Sequence, residues 1–263
     1  MKILPKKSLG QNFLIDKKIL NQITKLGEIN ENDTVIEVGP GTGNLTEEIL
    51  KKKPKNFTVI EKDKNFIEIL KKKFDDKIEI INEDILKFSH DKFYNKPIII
   101  FGNLPYNIST QILINWIRIK KLENFCKKFI LMFQKEVADR IIAEDNTKDY
   151  GRLSILSSWK MNIKKIMDIN PASFFPTPNV KSSLLILEPK TNYYKLKNPK
   201  NLEHVTNVFF NQRRKMIKKP MKVIFKNFEE VAKSLSLDLN LRPQNLSKLS
   251  FYKICSYYEK LLK

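Results

Sequence analysis

The sequence predicts an α/β fold with a parallel sheet, followed by a small all-helical C-terminal domain. From residue 34 onward, short apolar runs rich in β-branched residues alternate with amphipathic stretches, as in strand–helix–strand units. The alternation ends after residue 150, and the last part of the chain is basic and helical in pattern. The 263 residues suffice for one large domain with a smaller one, divided here into 1–190 and 191–263.

The predicted strands are short apolar runs bounded by polar or turn residues: 34–38, 57–61, 78–81, 98–102 and 129–133. The stretches between them have helical periodicity: 43–52, 63–73 and 107–120. Right-handed helical crossovers would cover both faces of the sheet. Beyond residue 150 we expect a helix at 152–159 and an antiparallel edge hairpin of 163–169 with 182–187.

Charge is concentrated in the C-terminal segment. The whole chain carries 49 Lys and Arg against 29 Asp and Glu, a net charge of +20, and residues 191–263 contribute 16 bases and 5 acids, or +11. Such a balance favours a polyanionic partner such as RNA. A nucleotide bias of the genome toward lysine codons is the alternative explanation.

Composition excludes several classes of protein. No run of 18 apolar residues predicts a membrane span, and the N-terminus lacks the apolar region of a secretory signal, so a cytoplasmic protein is expected. Cys126 and Cys255 lack the spacing of metal ligands, so neither a metal site nor a disulfide framework is predicted. His90 and His204 are isolated in sequence, which disfavours hydrolysis by a Ser-His-Asp arrangement.

A glycine turn joins the first predicted strand to the first helix, with the sequence V-I-E-V-G-P-G-T-G at 35–43. Glycines at this point permit positive φ and let the backbone approach a ligand closely. The spacing is neither that of a dinucleotide fingerprint nor that of a P-loop, so a phosphate ligand is disfavoured. A nucleoside without phosphate, such as S-adenosylmethionine, suits this turn, with Gly39 and Gly41 as contacts. A purely structural turn is the alternative.

Two acids follow at the ends of the next predicted strands. Glu61 lies 22 residues after Gly39, where a carboxylate can accept both hydroxyls of a ribose. Asp84 follows the third strand and is a candidate acceptor for the amino group of adenine. Each acid by itself is more simply a solvated loop charge. Their succession at strand ends favours a binding site, because open α/β sheets bind ligands there.

The fourth strand ends in Asn103-Leu104-Pro105-Tyr106, which points to the reaction. An aromatic amine is a poor nucleophile because its lone pair is delocalised into the ring. The Asn103 amide oxygen and the Leu104 carbonyl can each accept one amine hydrogen and so direct the lone pair. Pro105 stiffens the turn, and Tyr106 offers a face for an extruded base. The alternative is a strand–proline turn with a buried tyrosine.

A proline-rich loop near the sheet edge, F-F-P-T-P-N-V-K-S at 174–182, supplies a second aromatic candidate. Phe174 is expected to close the other side of the base, opposite Tyr106. Such stacking contributes roughly 1–3 kcal/mol per base. A core phenylalanine on a plain loop is the competing interpretation.

Four motifs together resemble the ribosomal RNA adenine dimethyltransferases. They are K-S-L-G-Q-N-F-L at 7–14, E-V-G-P-G-T-G at 37–43, N-L-P-Y-N-I-S-T at 103–110 and the F-x-P-x-P-x-V-x-S loop at 174–182. They occur in the order and at the distances of that family, from about residue 5 to the C-terminus. The resemblance implies a Rossmann-like sheet, S-adenosylmethionine as cofactor, and a cofactor site comprising Asn12, Leu14, Gly39, Glu61, Asp84 and Asn103.

Within this family the C-terminal segments Q-R-R-K at 212–215, with Lys218 and Lys219, and R-P-Q-N-L-S at 242–247 resemble the small-subunit branch. That branch methylates two adjacent adenosines in a hairpin loop near the 3′ end of small-subunit (16S) rRNA, twice each. The implied partners are this rRNA and the assembling 30S particle, bound by a monomer. The implied RNA contacts are Arg213, Arg214, Lys215, Lys218 and Lys219. Pro220 departs from the family pattern, in which a helix usually continues here.

Three other functions remain open from the sequence. One is the large-subunit (23S) rRNA adenine dimethyltransferase, which methylates a single adenosine. Another is a non-catalytic assembly factor of the same fold, which the intact glycine turn and Asn103–Tyr106 motif disfavour. The third is a DNA adenine methyltransferase, disfavoured by the motif order and the basic C-terminal helices.

Overall fold

The computed structural model describes residues 11–89 and 97–262; motif residues 7–10 and His90 lie outside these ranges. Strands β1–β9 span Phe13–Leu14, Thr34–Val38, Asn56–Glu61, Glu79–Asn82, Ile98–Asn103, Cys126–Gln134, Met161–Ile169, Phe174–Phe175 and Ser182–Pro189. Helices α1–α11 span Lys17–Leu26, Asn44–Leu50, Lys64–Phe74, Ser109–Ile117, Leu122–Phe125, Lys135–Ile142, Arg152–Lys160, Pro199–Phe210, Lys218–Ile224, Phe228–Ser234 and Lys248–Leu261.

Seven strands of the described residues form one sheet in the order β4-β3-β2-β5-β6-β9-β7. Strands β4 to β6 are parallel, and β9 pairs antiparallel with β6. The predicted α/β fold is confirmed, including the position of β7 and β9 at one edge. Because β3 and β4 extend from β2 to one side and β5 lies on its other side, the strand order reverses between β2 and β5. Open α/β sheets bind ligands at the carboxyl ends of strands at such a reversal.

The sheet is held between helices by apolar side chains on both of its faces. Strand β5 is a continuous apolar run whose residues Ile98 to Phe101 are at most 2% exposed, as expected for a parallel strand covered on both sides. One buried cluster joins Val35 of β2 and Phe101 of β5 to Ile23 of α1 and Ile49 of α2. This packing fixes the ends of the strands, and with them the loops that follow.

The chain divides into two compact units, 1–138 with 162–189 and 139–161 with 190–263. This division differs from the one predicted at 190 because the segment 139–161, with helix α7, joins the C-terminal helices. Polar atoms of buried aromatic residues hold it there: the Tyr150 hydroxyl donates to the Leu246 carbonyl at 2.9 Å, and the Tyr252 hydroxyl donates to the Ile155 carbonyl at 3.0 Å. Contacts between segments so far apart in the chain produce no local pattern of residues in the sequence.

Several elements were not predicted from periodicity. Helix α1 begins after Asp16, whose carboxylate accepts from the backbone N–H groups of the first turn. Strands β1 and β8 form a separate two-stranded antiparallel sheet. Pro220 lies in the first turn of α9, where the missing N–H is tolerated, so the helical region is interrupted after α8 instead of continuing. Within the described residues no helix is both long enough and apolar enough to cross a bilayer.

Candidate active site

A pocket lies at the carboxyl ends of β2, β3 and β5, where the strand order reverses. Nine of the predicted site residues line it: Asn12, Gly39, Gly41, Glu61, Asp84, Asn103, Leu104, Pro105 and Tyr106. Two others, Leu14 and Phe174, do not line this pocket. The predicted clustering of strand-end residues is thus present in the structure, and it follows from the parallel sheet.

The glycine turn after β2 has the backbone that only glycine adopts readily. Gly41 has φ +54°, and a Cβ atom there would come within 2.6 Å of the Phe13 ring. Gly43 has φ +78°, and its Cβ atom would come within 2.5 Å of the Phe74 ring. Any side chain at either position is strained and displaces an aromatic ring, so the turn stays thin at the pocket wall.

Glu61, at the end of β3, is nearly buried and is held by the backbone. Its carboxylate accepts from the Gly41 N–H at 3.2 Å and from the Asp63 N–H at 2.8 Å. Burial raises the pKa of this carboxyl above its usual range, and the two N–H groups oppose that shift. Each carboxylate oxygen has further acceptor capacity, which suits a pair of ribose hydroxyls.

Glu37 is a second buried acid, under the glycine turn, and sequence reasoning assigned it no role. It is 2% exposed, and its carboxyl accepts a hydrogen bond from the Thr46 hydroxyl at 2.6 Å. Burial raises the pKa of Glu37 to about 8, and the nearby Glu61 acts in the same direction. An acid inside the apolar strand T-V-I-E-V was the available signal, because buried carboxyls are rare unless they have partners.

Asp84 lies in the loop after β4 and is an ionised carboxylate. It forms an ion pair with the Lys62 ammonium at 2.8 Å and accepts from the Leu86 N–H at 3.0 Å. The Lys62 hydrogen bond holds the pKa of Asp84 below its usual value. Lys62 was not predicted to belong to the site, although it directly follows Glu61 in sequence.

Asn103 ends β5 with its side-chain amide held in one orientation. Its Nδ2 donates to the main-chain carbonyl oxygen of Asn12 at 2.7 Å, so its Oδ1 is left as an acceptor. Among the described residues, nothing donates a hydrogen bond to the carbonyl oxygen of Leu104. Two acceptors next to each other in the chain at the pocket wall match the predicted recognition of an amine.

Tyr106 lines the pocket, and its hydroxyl is hydrogen-bonded within the protein. The hydroxyl lies 2.6 Å from Oγ of Ser182, the first residue of β9. Burial raises the pKa of Tyr106 above its usual value, so the phenol is neutral at physiological pH. Ser182 ends the F-x-P-x-P-x-V-x-S motif, and this contact gives that serine a physical role.

Leu14 is a core residue whose backbone is bonded to the first residue of α2. Its side chain is 4% exposed, and its carbonyl accepts from Nδ2 of Asn44 at 2.8 Å. It borders a small cavity together with Glu37, Gly39 and Asn103, next to the main pocket. Because Leu14 does not line the main pocket, its contact with the cofactor stays a prediction.

The predicted stacking role of Phe174 is corrected by the structure. Phe174 is 1% exposed and belongs to the buried core cluster, so its ring has no free face for a base. Successive side chains of a strand point to opposite sides, and β8 directs Phe174 inward and Phe175 outward. Phe175 is 58% exposed and is the aromatic side chain that this loop presents.

Other pocket residues were not predicted from the sequence. Gln11 lines the pocket and its Nε2 donates to Asp63 Oδ2 at 3.2 Å. The side chains of Ile85, Leu86 and Ile108 add apolar wall surface of the kind that packs against a flat base. Isolated apolar residues in loops have no periodic pattern. Their position in the pocket could be inferred only from the predicted site residues beside them in the sequence.

The predicted RNA contacts lie in the second unit and differ among themselves. Arg213 is half-buried and bonded within the protein: Nε donates to Gln244 Oε1 at 3.2 Å, and the guanidinium also donates to the Lys148 carbonyl. Arg214, Lys215, Lys218 and Lys219 are exposed. For the four exposed cations RNA contact stays a prediction, whereas Arg213 has a structural role within the protein.

Comparison with known proteins places this site in a family. The chain is 55% identical to the Ribosomal RNA small subunit methyltransferase A of Pelagibacter ubique, over 99% of both chains. It is 40% identical to the protein of the same name from a Wolbachia strain of Drosophila simulans, over 98% of this chain and 94% of the relative.

Solved structures agree with the fold. A dimethyladenosine transferase from Plasmodium falciparum superposes with a TM-score of 0.78 at 25% identity, covering 94% of this chain and 98% of that one. The 23S rRNA methyltransferase ErmE superposes with a TM-score of 0.68 at 21% identity, covering 95% of this chain and 100% of that one. The two proteins therefore share a fold.

A family model described as Ribosomal RNA adenine dimethylase matches residues 4–260. The predicted family, Rossmann-like fold, enzyme class and cofactor are thereby confirmed. With nearly its whole length matched and its strand-end motifs gathered in one pocket, the chain belongs to the S-adenosylmethionine-dependent ribosomal RNA adenine dimethylases.

Proposed function

We propose that this chain dimethylates the exocyclic amines of two adjacent adenosines in a hairpin loop near the 3′ end of small-subunit rRNA, during assembly of the 30S particle. The single observation that carries the chemistry is the orientation of Asn103. With Nδ2 bonded to the Asn12 carbonyl, the amide directs Oδ1 as an acceptor for one amine hydrogen. The Leu104 carbonyl oxygen accepts the other.

The residues of the pocket fit an adenosyl cofactor. Glu61 has the acceptor capacity for two ribose hydroxyls, and ionised Asp84 has it for the amino group of an adenine. At Gly39 the nearest atom to the position of a Cβ is the Asn103 carbonyl oxygen, 3.9 Å away, so the space beside this residue is open to a ligand. S-adenosylmethionine, when bound, supplies an electrophilic methyl group. The protein supplies position and orientation, which is a large part of the acceleration available to such a transfer.

The target base is recognised after it leaves its stack. Tyr106 provides a neutral aromatic face at the pocket, and its hydroxyl is engaged by Ser182 instead of taking part in proton transfer. The amine gains acidity as it is methylated, so its proton can pass to water without a strong general base. Position and stacking therefore carry the specificity for an extruded adenine.

Small-subunit rRNA is favoured over large-subunit rRNA by the names of the similar proteins. Relatives at 55% and 40% identity are called small-subunit methyltransferases, whereas the 23S enzyme ErmE is 21% identical. The exposed cations at 214–219 of the second unit would bind rRNA phosphates. The protein would act as a monomer in the cytoplasm, where ribosomes assemble.

Purified small-subunit particles lacking the modification and large-subunit RNA should be assayed side by side, with mass analysis of dimethyladenosine. We expect two dimethyladenosines per small-subunit particle and none in large-subunit RNA. Modification of large-subunit RNA would favour the large-subunit alternative. Tight particle binding without methyl transfer would favour the non-catalytic assembly factor.

A further inference from the structure

The contact between Tyr106 and Ser182 joins two motifs that lie far apart in sequence. The two hydroxyl oxygens are 2.6 Å apart, a short and well-formed hydrogen bond in which either oxygen can be the donor. Ser182 is 1% exposed, so the serine end of this bond is shielded from bulk water. Tyr106 is half-buried and lines the pocket together with Asn103.

The serine is a rigid anchor because the sheet holds it on both sides. It begins β9 and lies opposite Gln134 of β6 in the antiparallel register. The preceding residue is also fixed, since the Lys181 carbonyl accepts from the Lys135 N–H at 2.9 Å. The following residue, Ser183, donates its own hydroxyl to Asp168 at 2.6 Å. A group bonded to Ser182 Oγ is therefore held relative to the whole sheet.

The tyrosine, in contrast, lies in a loop and depends on this anchor for the direction of its ring. The backbone turn is set by Pro105, whose carbonyl accepts from the Ile108 N–H at 3.1 Å. Neither that turn nor the hydrogen bond from the Ser109 hydroxyl to the Tyr106 carbonyl restricts rotation of the side chain. The hydroxyl contact does so, because it fixes the far end of the ring.

We propose that Ser182 is a positioning residue for base capture: its hydroxyl holds the Tyr106 ring in the plane on which the extruded adenine stacks. A stacking platform that is already oriented loses less conformational freedom when the base arrives, and this strengthens binding. The inference rests on the proposed function, since it assumes that Tyr106 receives the adenine. It assigns a role to a serine that touches neither the cofactor nor the amine.

The test uses the full-length protein and five variants. Ser182→Ala and Tyr106→Phe each remove the hydrogen bond, and the double variant completes a mutant cycle. Ser182→Thr keeps a hydroxyl at the anchor. Ser183→Ala is the matched control, because it deletes an equally buried serine hydroxyl of the same strand that bonds to Asp168. Steady-state kcat and KM for small-subunit particles are measured together with S-adenosylmethionine affinity and Tm.

We expect Ser182→Ala and Tyr106→Phe each to lower kcat/KM for the particle by about 3- to 10-fold, the effect of one neutral hydrogen bond. The double variant should be no worse than either single variant, and Ser182→Thr should recover most of the loss. S-adenosylmethionine affinity should be unchanged in all five. Ser183→Ala should keep kcat/KM within about twofold of wild type, whatever it does to Tm, because it leaves the Tyr106 anchor intact.

Wild-type kcat/KM in Ser182→Ala would overturn the proposal, as would an equal loss in Ser183→Ala or multiplying losses in the double variant. If Ser182→Ala fails to fold, Tyr106→Phe removes the same bond with Ser182 in place and decides the question. Failure of the proposed function would look different, because wild-type protein itself would then not dimethylate the particle.

Discussion

Asn103 and Asn12 are joined by a hydrogen bond of 2.7 Å from the side-chain amide to the main-chain carbonyl. The bond connects the end of β5 to the stretch before β1, 91 residues away in sequence. It fixes the orientation of the amide, because one N–H of Nδ2 is bonded to Asn12 while Oδ1 keeps its acceptor capacity. Asn12 therefore contributes to the site through its backbone, whatever its side chain does for the cofactor.

Asn103→Ala should bind RNA nearly as wild type does while losing turnover. The variant lacks the acceptor that acts on the amine during transfer, and loss of one such directed group costs roughly 10²–10³-fold in rate. Single-turnover methylation and RNA filter binding measure the two quantities separately. Wild-type rates in this variant would be incompatible with the assigned role of the amide oxygen.

Glu61→Gln should weaken S-adenosylmethionine binding by about 1.5–3 kcal/mol, because a hydrogen bond to a charged acceptor is lost. Calorimetric titration gives the dissociation constant directly. Glu68→Gln, at an exposed position of α3 that does not line the pocket, is the matched control. Equal affinities of the two variants would remove Glu61 from the ribose site.

Glu37 should make folding stability depend on pH. Its pKa is about 8 in the folded chain, whereas an ordinary glutamate titrates near 4.5. The unfolded chain therefore releases this proton at a lower pH than the folded chain, and the stability that Glu37 contributes is fully present below pH 4.5 and is lost as pH rises to about 8.

The variant Glu37→Gln removes this titration and keeps an acceptor for Thr46. We expect the Tm of this variant, relative to that of wild type, to rise between pH 5 and 8 and to level off above pH 8. The difference should be about 2–4 °C for each 1 kcal/mol of unfolding free energy that wild type loses when Glu37 ionises. Thermal scans without cofactor at several pH values measure the difference. A constant difference across this range would contradict a raised pKa at Glu37.

Phe174 and Phe175 should give opposite results on substitution. Phe174→Ala opens a cavity in the core and should cost about 3–5 kcal/mol of stability. Phe175→Ala should change stability by less than about 0.5 kcal/mol, as at other exposed positions. If Phe175 stacks on RNA, its removal weakens binding by roughly 1–3 kcal/mol. Unfolding and RNA binding should be measured on the same preparations.

Arg213 and Arg214 should likewise separate structure from RNA binding. Arg214→Ala removes an exposed cation, so the log–log salt slope of RNA binding should flatten by about 0.7–0.9 with no change in Tm. Arg213→Ala breaks hydrogen bonds to Gln244 and Lys148 and should cost about 1–2 kcal/mol of stability. An unchanged slope in Arg214→Ala would show that this cation only solvates the surface.

The site was predictable from the sequence wherever a residue is placed by a strand end. Gly39, Glu61, Asp84 and Asn103 each follow or end a parallel strand, and parallel strands bring such positions to one edge. No comparable rule governs the choice between Phe174 and Phe175, because two adjacent phenylalanines are equivalent in composition and only the direction of β8 distinguishes them.

The remaining differences between the predicted and the observed structure have a common physical cause. The segment 139–161 joins the C-terminal helices through bonds such as Tyr150 to Leu246, which no local periodicity encodes. The anchoring of Tyr106 by Ser182 also depends on distant residues brought together by the sheet. Sequence patterns predict local structure and burial. Contacts between residues far apart in sequence can be identified only once the strand order is known.

The pairing of β1 with β8 has a consequence for the newly made chain. Phe13 is held opposite Phe175, and the stretch that carries Asn12 is held in place by that pairing. A ribosome must therefore deliver about two-thirds of the polypeptide before residues 11–13 can take up their positions at the pocket. Nascent chains released before residue 175 would contain every strand-end motif and still lack the pairing that holds Asn12 beside Asn103.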